Sequence, residues 1–555
     1  MPRHASIDKL VRIAPSFGPT EAAEKLRLLA QIESAPRLTA RDLLELHDAI
    51  CFLRAYPDSP RVLRAVEAAA DRLRELHAAS GIDVESSQLE NRGFPGAVVR
   101  DEFSFPALER LQLRYPGCLE IDWDELESQD PLVNALGLCV TSAECQGLDD
   151  IGLQLQEWFA ACRPTQHRTD LEFLLFLFRN ARLGEATRNL IFEGCAVPIR
   201  FELASVGTAR SENISRVNRV RYQTRPLDRA RHAIAPIARR EFSSTTRASA
   251  KLGEEVIGLG LTALCSRNLE IRTLSNGNAN DVTVVDCGRG LRIALIGVLP
   301  AYRDPLECHY CMLVFKNGVP IAYGPGTVSL GCCEVGINLF PEFRGAEIRY
   351  LYPQFIRTLY QLLGARYFFL TPYGMGEENP AAIRTGAFWF YRKLGFRPTN
   401  PKVEELAQEE ERRLARKPRE RSSPAMLRRL SHTSAYLDLS DGECRPLDLG
   451  AIGVSHSRFI SESFDGDRQR ALQECIPKVA RELGLRGVYK LQPDAQHAWA
   501  MLAPILAMLP GLPDWSPREK QRMQRILREK GGPSERGVDR LLRGHRTLCH
   551  ALRTL

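Results

Sequence analysis

One carboxylate stands in a stretch whose composition otherwise predicts a buried β-strand. Glu334 lies between Cys333 and Val335, within the apolar run at residues 328–340. A charged side chain in such a strand is unusual as a purely structural feature, and carboxylates with a perturbed pKa cluster at functional sites. Glu334 is therefore a candidate for acid–base chemistry. A structural alternative, in which Glu334 forms an ion pair with an arginine, stays open at this point.

A second group has the residue types of a metal site. The run CHYC at residues 308–311 contains a CxxC pair. Such a pair supplies two ligands, and a structural zinc site needs four. No second CxxC or HxxxH lies nearby, although the two cysteines at 332–333 could approach in space. We therefore predict reduced cysteines on a strand and no metal. Phosphate-loop lysine, GxSxG and HExxH motifs are also missing from the sequence.

Length and composition predict an ordinary globular protein of several domains. A chain of 555 residues holds about three domains by the usual size prior. Its hydrophobic share of 44% is normal, and 75 basic against 68 acidic side chains give a net charge of +7. A charge this small for the length argues against a dedicated nucleic-acid protein. We predict no nucleic-acid partner.

The sequence predicts neither a membrane protein nor a secreted one. Its apolar runs are much shorter than the roughly 20 residues of a membrane span. The first residues lack the apolar core of a signal peptide. We therefore expect a cytoplasmic protein with no membrane partner. In that compartment the fifteen cysteines should be reduced, most of them as small buried apolar groups.

Two helical regions and an arginine-rich connector surround the middle of the chain. Apolar residues recur at helical spacing in residues 1–205 and 431–555. The connector, 206–254, carries eight arginines between positions 216 and 240. It could bind phosphates, but Tyr222 is the one aromatic residue among them, so base stacking is poorly provided for. The other interpretation is a solvated arm whose arginines pair with other domains. Residues 401–430 predict a charged linker that begins with a surface helix.

From residue 269 the pattern changes to short β-rich runs. Residues 269–274, 281–286 and 291–299 predict strands separated by Asn, Gly and Asp turns. The next two runs flank Asn317-Gly318, which is the strongest short-range signal for a hairpin. The middle of the chain is therefore predicted to begin with an antiparallel meander.

A largely apolar helix is predicted at residues 379–394. Asn379 is a good N-cap, and Pro380 occupies the first helical position, where a missing N–H costs nothing. Gly395 offers a left-handed C-terminal cap. The run FWFY at 388–391 makes the helix apolar on most sides, which indicates that it is covered by other elements.

The order of these segments resembles the GNAT superfamily of acyltransferases. FYRKLGF at 390–396 resembles the family's closing motif LYxKLGF, and EVGINL at 334–339 resembles its fourth strand. PEFRG at 341–345 resembles its strand-to-helix turn, followed by a long helix at 348–364 and a fifth strand at 366–370. The resemblance covers roughly residues 255–400. It implies an α/β GNAT-like central domain, with a mixed, mostly antiparallel sheet and helices, flanked by α-helical regions.

The resemblance also implies an acyl-CoA cosubstrate, acetyl-CoA or another. Backbone N–H groups at a helix N-terminus suit a pyrophosphate anion. By resemblance, the residues that contact the cofactor are Leu339, Phe340, Arg344, Gly345 and Ala346.

Two further roles follow from the same resemblance. Glu334 occupies the strand position at which several family members place a general base. Tyr391 matches the tyrosine that often donates a proton to the departing sulfur. With an unperturbed pKa near 10, a tyrosine is a proton donor at neutral pH.

The turn at 341–347 departs from the family pattern in two acidic residues. Glu342 replaces a polar or basic residue, and Glu347 replaces a small one. A carboxylate within a few ångströms of a pyrophosphate costs on the order of 1 kcal/mol or more. Glu347 also has a structural interpretation, because an acid in the first turn stabilises a helix. In an ungapped match, Arg384 takes the place of the family's usual asparagine.

The leading prediction is an N-acyltransferase that moves an acyl group from acyl-CoA to an amine of unknown identity. The alternative is a GNAT-like scaffold that has lost CoA and binds a protein partner through its helical flanks. Glu342 and Glu347 favour the scaffold, whereas Glu334 and Tyr391 favour the enzyme. The sequence predicts neither the acyl acceptor nor the oligomeric state.

Overall fold

The computed structural model describes residues 4–33, 38–82, 88–150, 154–230, 232–417, 419–440, 442 and 444–555. Arg231 of the arginine-rich connector and Pro418 of the charged linker lie outside the described residues. Within them, no helix combines the length and the apolar character that crossing a membrane requires.

The N-terminal region combines helices with a small sheet. Its elements are α1 (Ala5–Ile13), α2 (Pro19–Glu33), α3 (Ala40–Ala55), α4 (Pro60–Asp71), α5 (Leu73–Ser80), β1 (Val98–Asp101), α6 (Phe105–Arg114), β2 (Leu119–Ile121), α7 (Asp130–Leu136), α8 (Ser142–Asp150), α9 (Leu155–Cys162), α10 (Asp170–Asn180), α11 (Glu185–Gly194) and β3 (Ile199–Glu202). The three strands pair antiparallel in the order β1-β3-β2. The sequence predicted helices for residues 1–205 and did not predict this sheet.

The connector and the central region carry most of the large sheet. Their elements are α12 (Ile234–Arg239), β4 (Ser244–Arg247), α13 (Ala250–Cys265), α14 (Arg272–Ser275), β5 (Gly277–Gly288), β6 (Leu291–Val298), β7 (Cys308–Lys316), β8 (Val319–Ser329), β9 (Cys332–Val335), β10 (Asn338–Leu339), α15 (Ile348–Thr358), β11 (Tyr367–Leu370), α16 (Pro372–Met375), α17 (Pro380–Thr385), α18 (Ala387–Lys393) and β12 (Arg397–Pro398). Three-residue helical turns at Pro300–Tyr302 and Pro341–Phe343 precede β7 and α15.

The C-terminal region is helical apart from one strand. It contains α19 (Pro401–Arg416), α20 (Pro424–Ser431), β13 (Ala435–Asp438), α21 (Leu449–Phe464), α22 (Arg468–Glu482), α23 (Pro493–Met508), α24 (Pro517–Lys530), α25 (Val538–Arg543) and α26 (Arg546–Arg553). Strand β13 joins the large sheet, so the sheet extends beyond the boundary at residue 400 that the sequence predicted.

The large sheet is open and mostly antiparallel, which makes the protein a mixed α/β fold. Its strand order is β12-β13-β11-β9-β8-β7-β6-β5-β4, with β10 beside β8. The meander from β5 to β9 is antiparallel throughout, and β9 and β11 form a parallel pair. Asn317-Gly318 closes the β7–β8 hairpin with φ values of 49° and 86°, as the sequence predicted.

Two predictions of local structure were wrong. Residues 269–274 were predicted as a strand, but they form a loop that leads into the helical turn α14. The helix predicted at 379–394 is two helices, because Gly386 has a left-handed φ of 70° and ends α17. The Asn379 cap is confirmed, since its side chain accepts a hydrogen bond from the N–H of Ala382.

One contiguous apolar core joins the three regions. Buried side chains of the N-terminal helices, both faces of the large sheet and the C-terminal helices all belong to it. The helical flanks are therefore packed onto the sheet as parts of one body, and their contacts with it include buried charges.

Candidate functional site

A gap opens between two strands of the large sheet. Strands β9 and β11 run parallel, and their pairing extends through Cys332↔Tyr367, Cys333↔Phe368 and Glu334↔Phe369. Beyond that point β10 turns away and pairs with β8. The carboxyl ends of parallel strands are common places for ligand binding, since loops diverge there. The gap lies between the short strand β10 and the chain that follows β11.

The turn that follows β10 presents backbone N–H groups to solvent. Gly345 has φ +86°, and a Cβ added to it would have no atom within 4 Å. Among the described residues, the N–H groups of Gly345 and Ile348 have no hydrogen-bond acceptor, whereas the N–H of Glu347 is directed at the buried hydroxyl of Tyr56. Ile348 begins α15, so the positive end of the helix dipole points to the same place. The side chain of Arg344 is exposed beside it. This arrangement suits an anion.

Glu342 points away from this turn into the protein. Its side chain is 0% exposed and forms ion pairs with Arg267 and, at 3.3 Å, with Arg210. Burial alone would raise the pKa of Glu342, but the two guanidinium groups outweigh it and lower the pKa to about 2. Arg210 is held in turn by Asp48 at 2.8 Å. The charge of Glu342 is therefore compensated inside the protein.

Glu347 is also turned inward. Its carboxylate lies 3.1 Å from Lys316 Nζ and accepts a hydrogen bond from the N–H of Asp228 at 3.3 Å. Lys316 packs over the ring of Tyr56, the residue that follows α3, and its Nζ lies 4.6 Å from the ring centroid. The two acidic departures from the family turn are thus ion-paired with lysine and arginine, and an anion at the N-terminus of α15 would not meet an uncompensated carboxylate.

The remaining predicted cofactor residues are less exposed. Phe340 is 1% exposed and packs under Arg267, whose guanidinium carbon lies 4.0 Å from the ring centroid. Ala346 is also buried, and Leu339 is half-buried on β10. The side chain of Phe340 therefore belongs to the core, and its contribution to a ligand is limited to the backbone.

Glu334 is half-buried on β9 and has no basic partner of its own in the described parts of the chain. The ion pair with an arginine that the sequence left open is not formed. Glu334 is opposite Thr327 on β8, and Thr327 is opposite His309 on β7, so the three side chains share one face of the sheet. Burial raises the pKa of Glu334, and the charge of His309 opposes that shift.

His309 is held by an aspartate. Its Nε2 lies 2.6 Å from Asp304 Oδ2, and its Nδ1 lies 3.1 Å from Thr327 Oγ1. Burial lowers the pKa of His309, but the hydrogen bond to Asp304 and the charges of Asp304, Glu307 and Glu535 together raise it. Sequence reasoning missed this pair, because the CHYC run drew attention to cysteines and Asp304 is in the preceding loop.

Among the residues that the structure describes, Asp304, Glu307 and His309 form the group that most resembles a metal site. Ligand atoms of Asp304, Glu307 and His309 lie within 4.8 Å of one another. Both ring nitrogens of His309 already have hydrogen-bond partners, however, so the geometry fits an oriented imidazole better than a metal centre. Cys308 and Cys311 are buried, reduced and joined by no further ligands within the described ranges.

Tyr391 lies on the other side of β9 from Glu334. It is 8% exposed and packs against Tyr352 and Phe396, with ring centroids 5.6 Å and 5.7 Å away. Burial raises the pKa of Tyr391 to about 12, which keeps the hydroxyl protonated. Tyr352 is near both Tyr391 and Cys333, and successive residues of a strand face opposite sides. Glu334 and Tyr391 therefore flank β9 from its two faces.

A cleft with a volume of about 1520 Å³ extends from the N-terminus of α15. Ile348 and Arg349 line it together with residues of α17, α18, α19 and α20. Its walls carry charges of both signs: Arg349, Arg384, Lys393, Arg421 and Arg428 together with Glu377, Glu378, Glu411 and Glu420. The sequence could not predict this cleft, because segments more than 70 residues apart along the chain form its two sides.

Comparisons with known proteins provide no further assignment. No family model, curated protein or solved structure matches this chain. The function of the protein must therefore be inferred from its sequence and from the geometry of this site.

Proposed function

We propose that the protein is an N-acyltransferase of GNAT type, which transfers an acyl group from acyl-CoA to an amine. The observation that carries the proposal is the turn at residues 344–348, where unpaired N–H groups and a helix N-terminus adjoin the gap between β9 and β11. The order meander, helix, strand, helix, strand supports it as well, since the GNAT resemblance implies that order. Glu342 and Glu347, which favoured an inactive scaffold, are ion-paired within the protein.

In this proposal the turn binds the pyrophosphate of the cosubstrate. The N–H groups of Gly345 and Ile348 donate to the phosphate oxygens, and Arg344 supplies a positive charge from the exposed side. The adjoining cleft is large enough for the rest of a nucleotide-bearing molecule. The acyl end then enters the gap between β9 and β11, close to Glu334.

The reaction needs a base for the acceptor nitrogen and an acid for the leaving thiolate. Glu334 removes a proton from the ammonium form of the acceptor and releases it to solvent, and the free amine attacks the thioester carbonyl carbon. The C–N bond forms, the nitrogen loses its second proton to solvent and the C–S bond breaks, so that an amide and CoA thiolate result. Tyr391 donates its proton to the departing thiolate and regains one from solvent. His309, oriented by Asp304, places a positive charge near Glu334 and favours the ionised form that a base requires.

Equilibrium binding tests the proposal. Acetyl-CoA at about 100 times its dissociation constant should stabilise the protein by roughly 2.7 kcal/mol, which a thermal shift detects. Gly345→Glu should abolish the shift, since it places a carboxylate among the phosphate-binding N–H groups. The matched control is Gly117→Glu, because Gly117 also has a positive φ and open space around its Cβ but belongs to the loop between α6 and β2. A cooperative melt that no acyl-CoA shifts would overturn the proposal.

A further inference from the structure

A second basic recess lies at the seam between the edge strand β4 and the C-terminal helices. It has a volume of about 590 Å³, and four separate segments contribute arginines to its wall. These are Arg247 of β4, Arg528 of α24, Arg536 of the following loop and Arg540 of α25. The recess is on a different part of the surface from the turn at 344–348 and shares no lining residue with the cleft beside it.

The charges of these four arginines are only partly compensated within the described residues, where Arg540 acts on the buried carboxyl of Asp539. None of them forms an ion pair with a carboxylate, although Arg536 donates to Thr283 Oγ1 and Arg247 to the carbonyl of Asn280, both at 3.2 Å. The one acid in the wall, Glu529, is already bound by Arg525 at 3.1 Å. The wall therefore carries a clear excess of positive charge.

Two further arginines, Arg543 and Arg366, add to the positive charge near Arg540. A Cβ placed on Gly364 would lie 3.4 Å from Arg543 Nη2 and 4.0 Å from Arg540 Nε, so these two cations converge. Burial lowers the pKa of Arg366, and the charges of Arg543 and Arg540 lower it further. The buried Asp539 offsets part of the charge of Arg543 and Arg540, and an anion bound near them would reduce the remaining repulsion.

We propose that this recess binds a compact anion with several phosphate groups. Guanidinium groups bind phosphate through paired hydrogen bonds, and four of them from different directions match a ligand with several phosphates better than a single one. The volume is that of a small molecule, whereas a polymer needs an extended stripe of charge. Because the wall combines β4 with α24 and α25, the ligand would also hold the C-terminal helices against the sheet.

The test uses the full-length protein and inorganic tripolyphosphate at low ionic strength. Titration calorimetry should give binding to the wild type and roughly tenfold or more weaker binding to Arg528→Gln/Arg540→Gln, since two charge-assisted contacts are lost. The control is Arg219→Gln/Arg225→Gln, which removes two exposed arginines of the connector and leaves the recess intact. The control should bind tripolyphosphate like the wild type.

Four further outcomes decide between this proposal and its alternatives. Affinity for acetyl-CoA should be the same in Arg528→Gln/Arg540→Gln as in the wild type, because the recess is separate from the proposed cosubstrate site. Equal tripolyphosphate affinity in both double variants would overturn the proposal, and so would the absence of binding to the wild type. A short single-stranded RNA that binds in a recess-dependent manner, without any binding of tripolyphosphate, would overturn it in favour of a nucleic-acid surface.

Discussion

The N-terminal and C-terminal regions both pack on the large sheet through buried charges, but they compensate those charges differently. On the N-terminal side, Arg267 and Arg210 lower the pKa of Glu342 to about 2 despite its burial. On the C-terminal side, burial outweighs the partners of Glu535 and Asp539, and it raises the pKa of Asp539 to about 6. At the first interface two guanidinium groups keep Glu342 in its charged form, although burial raises the pKa of the neighbouring Asp48. At the second interface burial disfavours the charged form of both Glu535 and Asp539.

The contributions of Glu342 and Asp539 to the stability of the fold depend on pH in opposite directions. Glu342 binds protons less tightly in the folded chain, so its stabilising contribution is present above its ordinary pKa of 4.5 and is lost as the pH falls toward about 2. Asp539 binds protons more tightly when folded. Its favourable contribution is present below its ordinary pKa of 3.8 and is lost as the pH rises through about 6. At neutral pH, ionisation therefore favours the folded state at Glu342 and opposes it at Asp539.

The two interfaces also adjoin different halves of the proposed site. The N-terminal ion pairs hold the turn that would bind the pyrophosphate. On the C-terminal side, Lys530 Nζ donates to the carbonyl of Glu307 at 2.7 Å, and Arg303 Nη1 donates to the carbonyls of Lys530 and Gly532, both at 2.6 Å. These bonds hold the loop that carries Asp304, the partner of His309. Substitutions on the two sides should therefore separate cosubstrate affinity from proton transfer.

The largest effect is expected at Glu334. Glu334→Gln removes the proposed base and should lower the rate of acyl transfer by about 10²- to 10⁴-fold, with the affinity for acetyl-CoA unchanged. Steady-state kinetics with an amine acceptor and acetyl-CoA titrations measure the two quantities. Glu307→Gln is the control, since Glu307 lies near His309 but outside the proposed reaction path, and it should change the rate far less. Equal losses of rate in the two variants would show that Glu334 is not the general base.

Breaking the N-terminal ion pairs should cause the largest loss of stability. Glu342→Ala leaves Arg267 buried without an acidic partner, and removing one member of such a group costs about 3–5 kcal/mol. Urea unfolding at pH 7 measures the loss, and acetyl-CoA affinity should fall with it. Glu474→Ala, which breaks an exposed helical pair with Arg470, should cost about 0.5 kcal/mol or less. A cost of about 0.5 kcal/mol or less for Glu342→Ala would show that the ion pairs of Glu342 do not stabilise the N-terminal interface.

The C-terminal interface should be less sensitive, and its sensitivity should depend on pH. Lys530→Met removes a buried partner of Glu535 and a hydrogen bond to Glu307, at a cost of about 1–3 kcal/mol. The cost should be smaller at pH 5 than at pH 8, because Glu535 can then take up a proton and become neutral. Unfolding at both pH values measures it, with the exposed Lys478→Met as control. A larger cost at pH 5 would mean that Glu535 stays ionised.

The smallest effect is expected at His309. His309→Gln removes the positive charge that opposes the raised pKa of Glu334, so that pKa should rise further. The base must be ionised, and the acidic limb of the profile of kcat/KM against pH should therefore move to higher pH. Asp304→Asn should produce part of the same displacement. An unchanged acidic limb in both variants would show that His309 does not act on the base.

The elements that local patterns specify were the ones that the sequence predicted well. The Asn317-Gly318 turn, the strands around it and the Asn379 cap depend on residues that are close in the chain. The predicted strand at 269–274 was wrong because tertiary packing overrode its β-propensity. Gly386 did carry a signal, since a glycine within a helical pattern lowers confidence in an uninterrupted helix.

The sequence predicted individual residues of the site but not how they are arranged in space. Glu334 and Gly345 could be named because a resemblance assigned them. The ion pairs of Glu342 with Arg210 and Arg267 could not be predicted from the sequence, because they join segments that only the folded chain brings together. For that reason the sequence presented Glu342 and Glu347 as obstacles to an anion, whereas the structure directs both toward buried cations.

Amide hydrogen exchange with and without acetyl-CoA tests the central claim most directly, since it reports on the N–H groups that are proposed to bind the pyrophosphate. Peptides that cover residues 342–351 should exchange more slowly when acetyl-CoA is bound, and peptides that cover 528–540 should not change. If acetyl-CoA binds but leaves exchange at 342–351 unaltered, or if protection is confined to 528–540, the turn is not the cosubstrate site and the account is contradicted.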